Sequence, residues 1–424
     1  MFIGRVRDLT ALAFILLSVR VHSTEGQERW TNILTFNAAL PGNSNLTLFS
    51  NERRSAILAS INSTESDNPW SSADVVCLQE VVLEEDRNEV VRLATAAGFT
   101  SIFADGVLES SAELQTTACS PGALGVAATC LASHCPGATD IRGVLPCALG
   151  PCAADIAFLS QPCVNCLIAS SLPLNPSIVA CSSAPAAQFA SNLGLMVLSR
   201  IPLANSRIVG YGNKTDAFRR GYTQSELQGV GTFFCTHAFP DMPGIPQSAA
   251  LFASENLRQM QDLTAAARAS SNPILAGDMN TGPENTDTGV MPELEASYDH
   301  ILAQGFYGIY SNDSMATCTW CATNAVVAIT AQLLSQPAES LIIDHVFVDL
   351  DDFEVDDNKT IRVFDEAVIP VTLPVIGAAL LPTSDHYGVQ VSVRAINPPA
   401  TSDAAKSGAL LALLISALIV SVSL

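Results

Sequence analysis

The sequence predicts an α/β protein: one large body, about residues 27–396, broken by a cysteine-rich insertion at about 113–190. Three observations lead there. Short apolar, β-branched runs bounded by turn residues recur along the chain, as strands do. Segments with helical periodicity lie among them. Finally, 48% of the 424 residues are hydrophobic and only 14% charged, which excludes a disordered chain and is ample for a large core.

The strand candidates are Asn32–Asn37, Asp74–Leu78, Leu193–Leu198, Gly231–Thr236, Pro273–Ala276, Leu341–Val348 and Val389–Ala395. The helix candidates are Asn51–Ile61, Glu84–Ala97 and Gln247–Ala269. The second opens on Glu84, Glu85 and Asp86, whose charge suits the positive end of a helix dipole. The insertion holds eight cysteines: Cys119, Cys130, Cys135, Cys147, Cys152, Cys163, Cys166 and Cys181. Its segments CLASHCPGATDI and CALGPCAADI form a degenerate repeat. An even cysteine set reads as a disulfide framework in an exported chain, without a defined pairing. The alternative is a zinc site on Cys163, Cys166 and the nearby His134, which an oxidising route disfavours. In the body, Cys77 and Cys235 are free core residues or a pair, and Cys318 and Cys321 can close a small loop around Trp320.

Both ends carry processing signals. Arg5 and Arg7 precede an apolar run from Leu9 to Val19, and Val21 and Ser23 suit a cut after Ser23, so residues 1–23 read as a signal peptide. The run is short for a membrane anchor, the competing reading. Residues 397–407 form a linker of mostly small and polar residues, and 408–424 an uncharged apolar tail. That pattern suggests a GPI attachment signal, with Ser402 the candidate site and a plain transmembrane tail the alternative. Either way the body is expected outside the cell, at its surface or secreted. Five sequons, at Asn45, Asn62, Asn213, Asn312 and Asn358, fit that route.

Formal charge is −21, from 41 acidic and 20 basic residues. Loss of residues 1–23 removes three Arg and one Asp and leaves about −23. Such a surface disfavours a nucleic-acid groove and attracts divalent cations.

Polar residues stand at the ends of the apolar strands: Asn37, Glu80, His237, Asp278 with Asn280, Asp344 with His345, and Asp385 with His386. Carboxylates and an Asn carbonyl suit a hard cation such as Mg²⁺ or Mn²⁺, and histidines among carboxylates serve as acid, base or phosphate ligand. The chain has no G-x-S-x-G elbow, no P-loop and no G-x-G-x-x-G after a strand. The remaining chemistry is metal-assisted attack of water, with a phosphate ester the natural substrate.

LQE, GDMN and SDH, in this order, with LGLMVLSRIPL and with RRGYTQSEL before GTFFCTH, resemble the endonuclease/exonuclease/phosphatase superfamily, which includes deoxyribonuclease I-like nucleases and neutral sphingomyelinases. The resemblance covers about residues 32–394 without the insertion. It implies a four-layer α/β sandwich, two mixed sheets packed face to face with helices outside and the site at one edge between the sheets. It also implies roles: Glu80 the principal metal ligand with Asn37 beside it and Asp385 a second carboxylate. Asp278 would orient or deprotonate water, Asn280 and His237 hold the phosphate, and Asp344 position the catalytic His386. His345 is expected to be structural.

The expected substrate is a phosphodiester, a phospholipid head group before a nucleic acid, because the long, nearly uncharged insertion suits a bilayer and the net charge does not suit DNA. The alternatives are an extracellular nuclease and an inactive surface binding protein. No protein partner is expected.

Overall fold

The computed structural model describes residues 29–40, 48–105 apart from 64 and 66, 117–137, 151–169, 174–189, 193–211, 219–241, 249–334, 337–373 and 377–399. Residues 1–23, most of the 397–407 linker and the 408–424 tail, with Asn45, Asn213, Cys147 and Ser402, lie outside them.

In chain order the strands are β1 (Thr31–Leu40), β2 (Val75–Val81), β3 (Ser101–Ala104), β4 (Met196–Ser199), β5 (Leu203–Gly210), β6 (Gly221–Leu227), β7 (Gly231–His237) and β8 (Pro273–Asp278). They continue with β9 (Tyr307–Gly308), β10 (Asp344–Val348), β11 (Phe353–Val355), β12 (Ile361–Val363), β13 (Ile369–Leu373), β14 (Gly377–Leu381) and β15 (Gly388–Ala395). The body's helices are α1 (Ser50–Ile61), α2 (Pro69–Ser72) and α3 (Glu84–Ala96). The insertion contributes α4 (Pro121–His134), α5 (Ala153–Ala157), α6 (Gln161–Ala169) and α7 (Leu174–Ser183). Past it come α8 (Ala249–Arg268), α9 (Glu295–Ala303) and α10 (Ala325–Leu334).

Two mixed sheets form, in the orders β11-β15-β1-β2-β4-β3, with β12 also on β15, and β5-β6-β7-β8-β10-β9. Strand alternation separates three apolar layers. On β1, Ile33 faces the opposite sheet while Leu34 and Phe36 face α1 and Trp70. On β7 and β8, Phe233, Ile274 and Ala276 face the first sheet, and Phe234 and Leu275 face α8 and α9. Helix, sheet, sheet, helix is the expected four-layer sandwich. Each predicted strand and helix is present, with small shifts at the ends. Leu341 pairs with Trp320 rather than with β8, so β10 begins at Asp344. Strand and helix ends of this kind depend on partners distant in sequence.

Cys77 and Cys235 form a disulfide through the inter-sheet core. The insertion is helical around its own small core, stapled by Cys119–Cys163, Cys130–Cys152 and Cys166–Cys181. Cys163 and Cys166 are thus both in disulfides, which removes the zinc alternative. Several disulfides fit an extracellular or secreted protein. Among the described residues no helix is long and apolar enough to cross a membrane.

Candidate active site

Register brings three of the polar strand ends onto one rung of the second sheet. His237 of β7 pairs with Asp278 of β8, and Asp278 with Asp344 of β10. The neighbouring rung, Thr236–Gly277–His345, is tight: a Cβ on Gly277 would lie 2.0 Å from the Thr236 carbonyl oxygen. From the first sheet come Asn37 of β1 and the loop before β15. Asn37 is followed by a bulge at Ala39, which has φ 45°. The Ala39 N–H donates to Asn37 Oδ1 at 3.0 Å, so the bulge aims the amide.

Asn37 Nδ2 donates to Asp278 Oδ2 at 2.9 Å and lies 3.5 Å from His386 Nε2. His386 Nδ1 meets Asp344 Oδ2 at 2.9 Å, while its Nε2 stands 3.7 Å from Asp278 Oδ2. His237 Nε2 is 3.3 Å from the same Asp278 oxygen and 3.9 Å from Glu80 Oε1. Asp278 Oδ1 accepts from the Asn280 N–H at 3.1 Å, and Asn280 Nδ2 donates to the Ala238 carbonyl. Asn37, His237, Asp278, Asn280, Asp344 and His386 are all buried. Glu80 and Asp385 are more open, their side chains 31% and 21% exposed. The eight predicted residues therefore gather at one end of the sandwich as a buried floor and a carboxylate rim.

Burial and the charges of Arg220 and His386 hold His237 well below the usual imidazole range. Arg220 contacts His237 Nδ1. A guanidinium only donates, so Nδ1 accepts and Nε2 carries the proton toward Asp278. Burial alone would lower His386, but Asp344 and Asp278 outweigh it and raise the imidazole to about 10. Burial pushes Asp278 above the ordinary carboxylate range. Partial burial and the neighbouring Asp385 push Glu80 the same way.

Two carboxylates held near each other at a partly open rim, with the Asn37 amide beside them, are a donor set for a hard, partly hydrated cation. Asp278, Asp344 and His386 also bring one ligand atom each within 4.8 Å of one another, the one such trio among the described residues. It can hold a metal. However, Asp344 and His386 are already hydrogen-bonded to each other.

Three residues to which no sequence motif gave a role support this site. Arg53 is fully buried and donates to the carbonyls of Thr383 and Ala39, with Asp385 Oδ1 at 3.5 Å. Arg220 orients His237. Trp320 stands edge-on to the His386 ring, the centroids 5.0 Å apart. Arg53–Arg54 and Arg219–Arg220 are the only adjacent basic pairs after residue 23, which was the available signal. His345 points the other way: it contacts the Thr281 carbonyl at 2.7 Å and packs on Tyr298 and Phe347.

The family model described as the Endonuclease/Exonuclease/phosphatase family matches residues 34–386, ending on His386. The chain belongs to this family. Its members are phosphoester hydrolases that generally use divalent metals. Among solved structures the fold is similar to sphingomyelinase C from Streptomyces griseocarneus, with TM-score 0.50 and 16% identity over 86% of this chain and 99% of that one. An endonuclease/exonuclease/phosphatase from Beutenbergia cavernae gives TM-score 0.48 and 17% identity over 87% and 72%. TDP2 from D. rerio, complexed with single strand DNA product, gives 0.46 and 12% over 86% and 99%. Among curated proteins none matches. The superfamily to which the chain belongs hydrolyses phosphodiester-like substrates.

Proposed function

We propose that this protein is a Mg²⁺- or Mn²⁺-dependent phosphodiesterase that hydrolyses a phospholipid head group outside the cell. The observation that carries the reaction type is the single rung His237–Asp278–Asp344 meeting Asn37 and His386 across the two sheets. Glu80, Asp385 and Asn37 would hold the metal, which when bound supplies charge to the phosphate and acidity to water. Asp278, with a raised proton affinity, suits orienting and deprotonating the attacking water. His386 is held charged and its ring is oriented by Asp344, as a catalytic histidine facing a phosphate requires. His237 and the Asn280 amide would hold phosphate oxygens against the developing charge.

Two features favour a lipid. The chain is uncharged from Ala367 to Ser384, and this segment forms the hairpin β13–β14 leading straight into Asp385 and His386. The hairpin packs Ile369, Val371 and Leu381 inward and leaves Val368 and Leu380 53% and 56% exposed. In addition, the insertion exposes Val126, Phe158 and Val179. Apolar side chains left in water suit a bilayer surface. Residues 408–424 would be the signal that is removed when a GPI anchor is attached at Ser402, tethering the exported protein.

The test is a side-by-side assay of protein truncated before residue 400. Sphingomyelin vesicles and duplex DNA are each offered with Mg²⁺ or with chelator, with His386→Ala as control. Release of phosphocholine, abolished by chelator and by the substitution, is expected. Cleavage of DNA alone would make the protein a nuclease, and no metal-dependent cleavage of either would overturn the lipid reading.

A further inference from the structure

The segment Cys318–Cys321 has no role in the reaction described so far, yet it touches both members of the His386–Asp344 pair. A disulfide closes it. Inside, Thr319 is fully buried and bonds in two directions. Its hydroxyl oxygen accepts from the N–H of Ile343 at 3.0 Å and of Asp344 at 3.1 Å. Its carbonyl accepts from the N–H of Tyr387 at 2.8 Å. Trp320 exchanges backbone hydrogen bonds with Leu341, and its indole stands at 68° to the His386 ring. From outside, Arg362 donates to the Cys318 carbonyl at 3.1 Å and lies over the Tyr387 ring.

Asp344 begins a strand of the second sheet, and His386 sits two residues before a strand of the first. A displacement of either sheet end would separate them. We propose that the disulfide-closed loop is a clamp in which Thr319 and Trp320 are positioning residues that set Asp344 against His386. This rests on the hydrolase reading above and deepens it. A four-residue loop without a cross-link samples many conformers, and the disulfide removes most of them. Thr319 then spans the gap with hydrogen bonds to each side, so one residue fixes two elements from different sheets. Trp320 covers one edge of the imidazole, which limits its rotation about Cβ–Cγ. A misplacement of about 1 Å at such a pair is enough for a loss of about 100-fold in rate.

Thr319→Val keeps the shape and removes the hydroxyl, while Thr319→Ser restores it. The expected result for Thr319→Val is kcat lower by about 10- to 100-fold with KM changed less than about twofold. Thr319→Ser should return close to wild type. At fixed pH, the His386 ring Cε1–H resonance, assigned by its loss in His386→Gln, should move in Thr319→Val and in the Cys318→Ser/Cys321→Ser double variant. Wild-type kcat in Thr319→Val, a loss that serine does not restore, or an unmoved His386 resonance would each overturn the clamp. If wild-type protein cleaves no phosphodiester, the functional reading fails, and the resonance alone still decides the clamp. If Thr319→Val does not fold, the double serine variant carries both readouts.

Discussion

Glu80 and Asn280 both take positive φ, 60° and 49°, and both belong to the site. Asparagine tolerates this region, whereas for glutamate it costs about 1 kcal/mol or more. Close approach of Gly194 to the Glu80 backbone holds the turn in place. The strain turns the carboxylate out of β2 toward Asp385. At the floor, His386→Ala and Asp278→Ala should each lower kcat by roughly 10²- to 10⁴-fold while circular dichroism shows a folded protein. Near-normal turnover in folded His386→Ala would reject its role. His345 gives a separate check on burial. Its folded value of about 4 lies below the unfolded 6.5. Between these values the unfolded chain binds a proton that the folded chain refuses. The folded state therefore loses up to about 3 kcal/mol as pH falls through that window. His345→Phe removes this dependence, so its stability deficit against wild type should narrow between neutral pH and pH ~4. A deficit independent of pH, measured by urea denaturation, would show that His345 charges without cost.

Among the elements, the β13–β14 hairpin is the most unusual piece. Its inward residues alternate with outward ones at the strand period, so half of its apolar surface is anchored on Val326 of α10 and on Ala56 of α1. The outward half has no such partner among the described residues. Val368→Glu with Leu380→Glu should weaken vesicle binding by about tenfold or more, because each buried apolar side chain is worth about 1.5–3 kcal/mol. Hydrolysis of a soluble phosphodiester should be unaffected. Equal vesicle binding by flotation would remove the hairpin from the lipid reading. The insertion differs from the hairpin in having a small core of its own: its cysteines, not a large core, hold its helices. That suits a segment of this size with few charged residues.

For the whole molecule, the Cys77–Cys235 disulfide matters most. It closes a span of 158 residues and links β2 to β7 three and two residues before Glu80 and His237. A link over that span limits the unfolded chain by about 5 kcal/mol. Cys77→Ala with Cys235→Ala should lower unfolding free energy by about that amount, read from urea denaturation; a loss below about 1 kcal/mol would contradict the chain-entropy account. The variant also probes whether the sheets need a covalent tie to keep the site's two halves facing, since Glu80 and His237 sit on opposite sheets.

What the sequence determined by itself was local. Short apolar, β-branched runs bounded by turn residues marked the main strands, and polar residues at the ends of those runs marked Asn37, Glu80, His237, Asp278, Asp344 and the Asp385–His386 pair, because strand ends are where side chains leave the core. The order of LQE, GDMN and SDH supplied the family. Short strands such as β3 and β9 escaped this reading, since a few residues carry no periodicity, and so did the insertion's helices, whose apolar pattern has no polar face to contrast with. Only the tertiary structure decided which residues meet. Pairing Asp278 with Asp344, seating Thr319 between two sheets, choosing Cys77–Cys235 over free thiols and burying Arg53 under Asp385 all join residues far apart in the chain. Such contacts follow from strand register and layer packing, which depend on the whole chain folding together, so no local pattern records them.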